Sequence, residues 1–366
     1  MSTRIRVRDG RAEITTRSHD TAVPGTLAER PSFLTALVEA KGAILTWDAT
    51  ATPHLPDAEV HDARAASAWL DDVYGSPVAD AVRRGTDTIV ALDAPADPAT
   101  VAAVFALGNL SWARAWWPAS IGIPALEPAI LAAEIAVQSH RISHLLDDDD
   151  AVERAVLDAY EAPSALAALP SSLAAEGAAL ALALDALAED DGVELQPATT
   201  AEPRAEWALA AGGERDAPPA NGIVVAHGSA PVRWSDVPAQ TVDAAAEARW
   251  TLLHGTDAPF LHVEVAAVVG LASIPALHAR FGPAELELDV VLALDGSHFI
   301  GETAVPASAL FLPLSARTLW VHDPSLASSS GDPESAEDRA RVMAFAAGRL
   351  AASDASLAER AAGARV

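Results

Sequence analysis

Between residues 260 and 269 apolar side chains fall on every second position. Leu261, Val263, Val265, Ala267 and Val269 alternate with Phe260, His262, Glu264 and Ala266. The same period returns where Leu286, Leu288, Val290, Leu292 and Leu294 alternate with Glu285, Glu287, Asp289, Val291 and Ala293. A period of two predicts strands with one face on a core and the other towards water. Asp295-Gly296 supplies a turn into a returning strand near His298–Val305, and Arg317–Val321 reads as another strand, closed by Asp323-Pro324. Residues 223–325 are therefore expected to form an antiparallel β domain, most simply a sandwich.

The first half has a different texture. RIRVRDGRAEIT predicts a hairpin turning at Asp9-Gly10. Leu27–Ala40 reads as a helix, Ala43–Trp47 as a short strand, and Asp62–Tyr74 and Val78–Arg84 as helical. The apolar run Thr88–Leu92 suits a buried strand. Helices are then predicted over Ala99–Leu110, over Pro128–Leu146, and from Val152 to Ala188 with breaks near Pro163 and Pro170. Residues 191–222 read as a linker or long loop, with Gly212–Asn221 its most open part. Beyond the β domain, Ser335 is an N-cap for one amphipathic helix over 335–362, whose stripe is Met343, Ala346, Leu350 and Leu357. The expected fold is α+β: a mixed α/β-to-helical region over 1–190, the linker, a β-sandwich-like domain and a C-terminal helix.

Composition narrows the function. The 366 residues are 51% hydrophobic, enough for substantial cores, and carry a net charge of −27. That charge opposes nucleic acid and anionic membranes as partners. Cysteine is absent, which removes disulfides, thiolate metal sites and cysteine nucleophiles. MSTRIRVRDG lacks the apolar run of a signal peptide, and no stretch offers the ~20 apolar residues of a membrane span, so a cytoplasmic protein is expected.

Candidate chemistry is sparse. In QSHRISHLLDDDD (Gln138–Asp150), His140 and His144 stand four apart with Asp147 following. On one helix these three could hold zinc and support a metal-dependent hydrolase. Arg141, however, occupies the place where zinc proteases carry a glutamate base. Both histidines also project away from the stripe of Leu131, Ile135, Ile142 and Leu145. A structural reading competes: Asp150-Ala-Val-Glu153 matches a capping box, with Asp147–Asp149 near the positive end of the next helix.

SWARAWWP (Ser111–Pro118) places Trp112 and Trp116 one helical turn apart, with Trp117 next to them. Such aromatics serve a core, a partner interface or a small-ligand pocket. The strand ending in His-Gly-Ser within IVVAHGSAP (Ile223–Pro231) resembles the N-terminal motif of the small cobalt and iron chelatases of tetrapyrrole synthesis. The resemblance implies functional roles for His227 and Ser229, while a glycine turn between strands explains the tripeptide equally well. Neither a phosphate-binding G-x-x-x-x-G-K-[ST] loop, a G-x-G-x-x-G turn nor a G-x-S-x-G elbow occurs. No cofactor is called for. The expectation is a non-enzymatic interaction or scaffold subunit with protein partners, a second copy of the chain included. Its candidate interaction residues are Trp112, Trp116, Trp117, Met343, Leu350 and Leu357. The alternatives are the His140/His144 hydrolase and a small-ligand sensor built on the tryptophans.

Overall fold

The computed structural model describes residues 2–8, 10–17, 31–51, 53–91, 94–197, 222–255, 258–271, 273–286, 288–326 and 334–365. Most of the expected linker, Gly212–Asn221 included, lies outside the described residues. Helices and antiparallel sheets are both present, and the chain is divided between two units. The first draws on Met1–Ala115, Glu127–Ala201 and Arg349–Ala364, the second on Trp116–Leu126 and Glu202–Gly348.

In the first unit, β1 (Ser2–Arg8) and β2 (Arg11–Arg17) form the expected hairpin, with Arg8 opposite Arg11. They join β3 (Thr35–Ala40), β4 (Ala43–Asp48), β5 (Asp57–Val60) and β6 (Thr88–Ala91) in a six-stranded sheet of order β3-β4-β5-β2-β1-β6. Register aligns Ile5, Ile14, Ala58, Leu45 and Val38 in one row across five strands, and all five are buried. Two expectations change here. Thr35–Ala40 is a strand and not the end of a helix, because Ala36, Val38 and Ala40 are buried in alternation with exposed Leu37 and Glu39. Among the described residues β6 pairs only with β1, at the sheet edge, and Ile89 is exposed, so it is not the buried strand expected of Thr88–Leu92.

The helices of this unit are α1 (Ala63–Ala66), α2 (Leu70–Tyr74), α3 (Ser76–Arg84), α4 (Pro98–Trp116), α5 (Pro128–Arg141), α6 (Ala151–Asp158), α7 (Ala162–Ala167) and α8 (Ala174–Asp191). Pro163 lies in the first turn of α7, and Pro170 precedes α8, so the prolines break the helical run where their missing N–H requires. α5 is the hub, packing against α6, α7 and α8.

The C-terminal residues form two helices in place of the expected one: α9 (Ala336–Arg349) and α10 (Leu357–Gly363). The break has a local cause. Ser356 caps α10 through its side chain, which accepts from the Glu359 N–H, while the Glu359 carboxylate accepts from the Ser356 N–H. α10 then packs on α5 through the buried Leu357, Ala358, Ala361 and Ala362.

The second unit holds β7 (Ile223–Pro231), β8 (Glu247–His254), β9 (Pro259–Ala266), β10 (Leu277–Phe281), β11 (Leu288–Asp295), β12 (His298–Ala304) and β13 (Leu319–His322). They form one seven-stranded antiparallel sheet of order β13-β10-β11-β12-β9-β8-β7, in place of the two stacked sheets of a sandwich. The sheet curls as a half-barrel, which brings β13 back towards β7 and β8. Curling lets a single sheet enclose its own core, since one face supplies Trp250, Leu252, Leu261, Val263, Val265, Ala279, Phe281, Val290, Leu292, Phe299 and Val321. Trp250 and Phe281 meet in a tilted ring contact at 4.9 Å. Gly301 permits the close approach of β12 to β11: a Cβ there would stand 2.5 Å from the Val291 carbonyl oxygen.

Candidate functional site

The period of two that fills this core also decides what the other face carries. On β10, His278 and Arg280 alternate with buried Leu277, Ala279 and Phe281. Asp289 on β11 and Trp320 and His322 on β13 occupy the corresponding positions. Register makes neighbours of them: His278 faces His322, and Arg280 faces Asp289 on one side and Trp320 on the other. The face continues on β9 and β12, where His262 Nδ1 lies 3.0 Å from Glu302 and His298 Nε2 lies 3.6 Å from Glu264.

Trp320 organises the cluster. The His322 ring stacks on it at 4.1 Å and 8°, and the Arg280 guanidinium lies 5.2 Å from its ring centroid. Its indole N–H donates to the Asp236 carboxylate at 2.6 Å. Asp236 is buried in the short 3-10 turn Trp234–Asp236, and its carbonyl accepts from the Asp323 N–H just past β13. The Asp289 carboxylate is turned to His278 Nδ1, 3.0 Å away. Arg280 and Asp289, although cross-strand partners, form no ion pair with each other. His322 is only 7% exposed, and its Nδ1 has no hydrogen-bond partner among the described residues. Burial, reinforced by the Arg280 charge, holds its pKa below the ordinary 6.5, so the ring is neutral at pH 7.

Beside this cluster lies a cleft of about 470 Å³, lined by Arg280, Phe281, Pro283, Leu288, Asp289 and Trp320. Its base is tied by Gly282, whose N–H donates to the Thr318 carbonyl at 2.9 Å. The β12–β13 connection passes close by, with Leu312 and Ala316 near Gly282. That connection carries two 3-10 turns, Ala307–Phe311 and Leu314–Ala316, each preceded by a proline, Pro306 and Pro313. Arg317 clamps it by donating to the Leu310 carbonyl at 3.2 Å. Phe311 and Leu314 are nevertheless 83% and 81% exposed. The cleft thus offers two opposite, mutually unpaired charges on an aromatic wall, beside a rigid apolar lip.

The residues singled out from the sequence lie elsewhere. α5 ends at Arg141, and Ile142 has left the helical conformation, so His140 and His144 do not share a helix face. Both are exposed; His144 Nε2 lies 3.7 Å from Asp72, and the exposed Asp147 donates its backbone N–H to the Glu39 carbonyl. Among the described residues no three His, Asp or Glu side chains group as metal ligands. The capping role also shifts. Asp150 is the N-cap of α6 but makes no side-chain cap bond; Asp148 accepts from the Asp150 N–H at 2.9 Å and pairs with Arg154.

Trp112 is buried in the first unit, with its indole N–H on the Phe33 carbonyl. Trp117 is buried in the second, with its indole N–H on the Pro124 carbonyl, and Trp116 is half-buried. Trp112 thus belongs to the first unit, and Trp116 and Trp117 to the second. Met343 and Leu350 are half-buried and Leu357 is buried under α10. His227, Gly228 and Ser229 lie inside β7, paired to Thr251, Trp250 and Arg249, so the tripeptide is neither a strand end nor a turn. Ser229 donates to Glu247.

His278, Arg280, Asp289, Trp320 and His322 escaped the reading of the sequence. Their signal was weak: five polar-face positions scattered over 45 residues of chain, united only by strand order. No known protein family, curated protein or solved structure matches the chain.

Proposed function

We propose that the protein is a non-enzymatic interaction or scaffold subunit of a cytoplasmic multiprotein assembly, and that it docks a protein partner through the Phe311–Leu314 lip. The observation that carries this reading is the pairing of exposure with rigidity. Two large apolar side chains stand in water on a connection pinned by two prolines, 3-10 turns and the Arg317 clamp. Apolar anchors held in place lose little conformational entropy on docking, which is where interface affinity concentrates. The neighbouring Arg280–Trp320 pair adds the two residue types most enriched at such hot spots. Among the described residues no helix is long and apolar enough to cross a membrane, in keeping with a partner met in water.

The test is the native mass of the full chain isolated from its own cells. The wild-type particle is expected to exceed one chain, and Phe311→Ser/Leu314→Ser to fall to the mass of a single chain with unchanged thermal stability. A wild-type particle of one chain, or a double variant that keeps its full mass, overturns the proposal.

A further inference from the structure

We propose that the cleft between Arg280 and Asp289 binds a small zwitterion, an α-amino acid with an apolar side chain. The site adjoins the partner lip and shares Arg280 and Trp320 with its surroundings, but it stands or falls without the lip.

Two charges that ought to have neutralised each other line the cleft. Arg280 and Asp289 are direct partners in the β10–β11 ladder, a position that brings their Cα atoms within about 5 Å. Opposite charges so placed ordinarily pair. Here each is drawn aside, Arg280 over the Trp320 ring and Asp289 to His278. The guanidinium makes no hydrogen bond to the described residues and Arg280 lines the cleft, which leaves its planar set of donors available for a carboxylate. Asp289 retains acceptor capacity for an ammonium group beyond its bond to His278.

Electrostatics select the ligand class. A bare anion would meet Asp289 and the field of a chain with net charge −27, and a bare cation would meet Arg280. A zwitterion satisfies both walls and enters without net repulsion. In an α-amino acid the two charges hang on one carbon, matching two residues that face each other across one pair of strands. Thr318 also lines the cleft, and the Phe281 and Leu288 side chains belong to the core, so its apolar surface comes from Trp320, Pro283 and Ala284. That surface suits an apolar side chain, and about 470 Å³ falls within the ~300–1,000 Å³ usual for small-molecule sites.

The test is calorimetric titration of the full chain with three probes: L-phenylalanine, 3-phenylpropionate, which lacks the ammonium, and 2-phenylethylamine, which lacks the carboxylate. L-Phenylalanine should bind, and each analogue should bind at least about tenfold more weakly, because each leaves one charged wall unpaired. Arg280→Gln and Asp289→Asn should each weaken L-phenylalanine by about tenfold or more. Ala284→Trp, which keeps both charges and fills the space, should abolish binding. All three positions are exposed, so thermal melting should match wild type. The proposal is overturned by no binding up to about 10 mM, by analogues that match L-phenylalanine, or by binding that survives Ala284→Trp.

Discussion

Glu134 on α5 is the point where the C-terminal residues are tied into the first unit, and replacing it with alanine should release them. Its carboxylate accepts from the Leu357 N–H at 2.7 Å and the Ala358 N–H at 3.0 Å, the first two donors of α10. The third, on Glu359, is taken by the Ser356 side chain. A helix start leaves these N–H groups without intrahelical partners, so Glu134 supplies from another helix what a local cap cannot reach. Removing it strands two donors on buried residues, at about 1–3 kcal/mol each. Part is returned, because burial of the carboxylate is itself unfavourable: desolvation, reinforced by the neighbouring Glu359 charge, raises its pKa above the ordinary 4.5 despite the two N–H bonds. The net loss should be roughly 2 kcal/mol, or about 4–8 °C in the melting temperature of a unit this size. Arg360, paired with Glu176 on α8, would still hold the segment loosely. The assay is denaturant unfolding combined with amide hydrogen exchange over 357–363. Glu134→Ala should lower the midpoint and cost α10 most of its protection. Glu134→Gln, with one acceptor oxygen left, should fall about halfway. Unchanged α10 protection in the alanine variant would refute the reasoning, because the two N–H groups would then have other partners.

The raised pKa of Glu134 means that its folded form favours the proton; the stability of wild type relative to Glu134→Gln should be highest below about pH 4.5 and fall as pH rises through the raised value, in paired denaturation curves. His322 has the opposite linkage: its lowered pKa makes the neutral ring the folded form, so its contribution is present above pH 6.5 and lost as pH falls below it. His322→Phe, which keeps the stack on Trp320, should flatten that loss, and an identical acid profile in the variant would count against the assignment. Asp148→Ala should cost about 1 kcal/mol and Asp150→Ala much less, since the side-chain bonds at the α6 start belong to Asp148; equal effects in urea unfolding would contradict this. Gly301→Ala should destabilise the half-barrel by roughly 2–3 kcal/mol, because the new methyl meets the Val291 carbonyl, and a neutral effect would show that β11 and β12 can separate.

What the sequence determined by itself was local. The alternation at Leu261–Val265 and Leu288–Leu292 named the buried face of β9 and β11, because strand geometry leaves a side chain only two directions. Asp9-Gly10 and Asp295-Gly296 placed the hairpins, and Pro163 and Pro170 broke the helices, since φ limits and a missing N–H act on single residues. Even the break before α10 is written in Ser356-Leu-Ala-Glu359, a capping box hidden inside a stripe that looked continuous. β3 misled because its leucine and alanine content suits a helix, and only pairing with β4 decides for the strand. β8 and β10 went unrecognised, the second because five residues with three apolar positions carry too short a period. Tertiary structure alone decided the rest. Whether seven strands stack as two sheets or curl as one depends on which edges meet, and alternation is identical in both cases. The same holds for the candidate site. Arg280, Asp289 and Trp320 become neighbours only when β10 is placed between β11 and β13, a pairing fixed by long-range hydrogen bonds that no local pattern encodes.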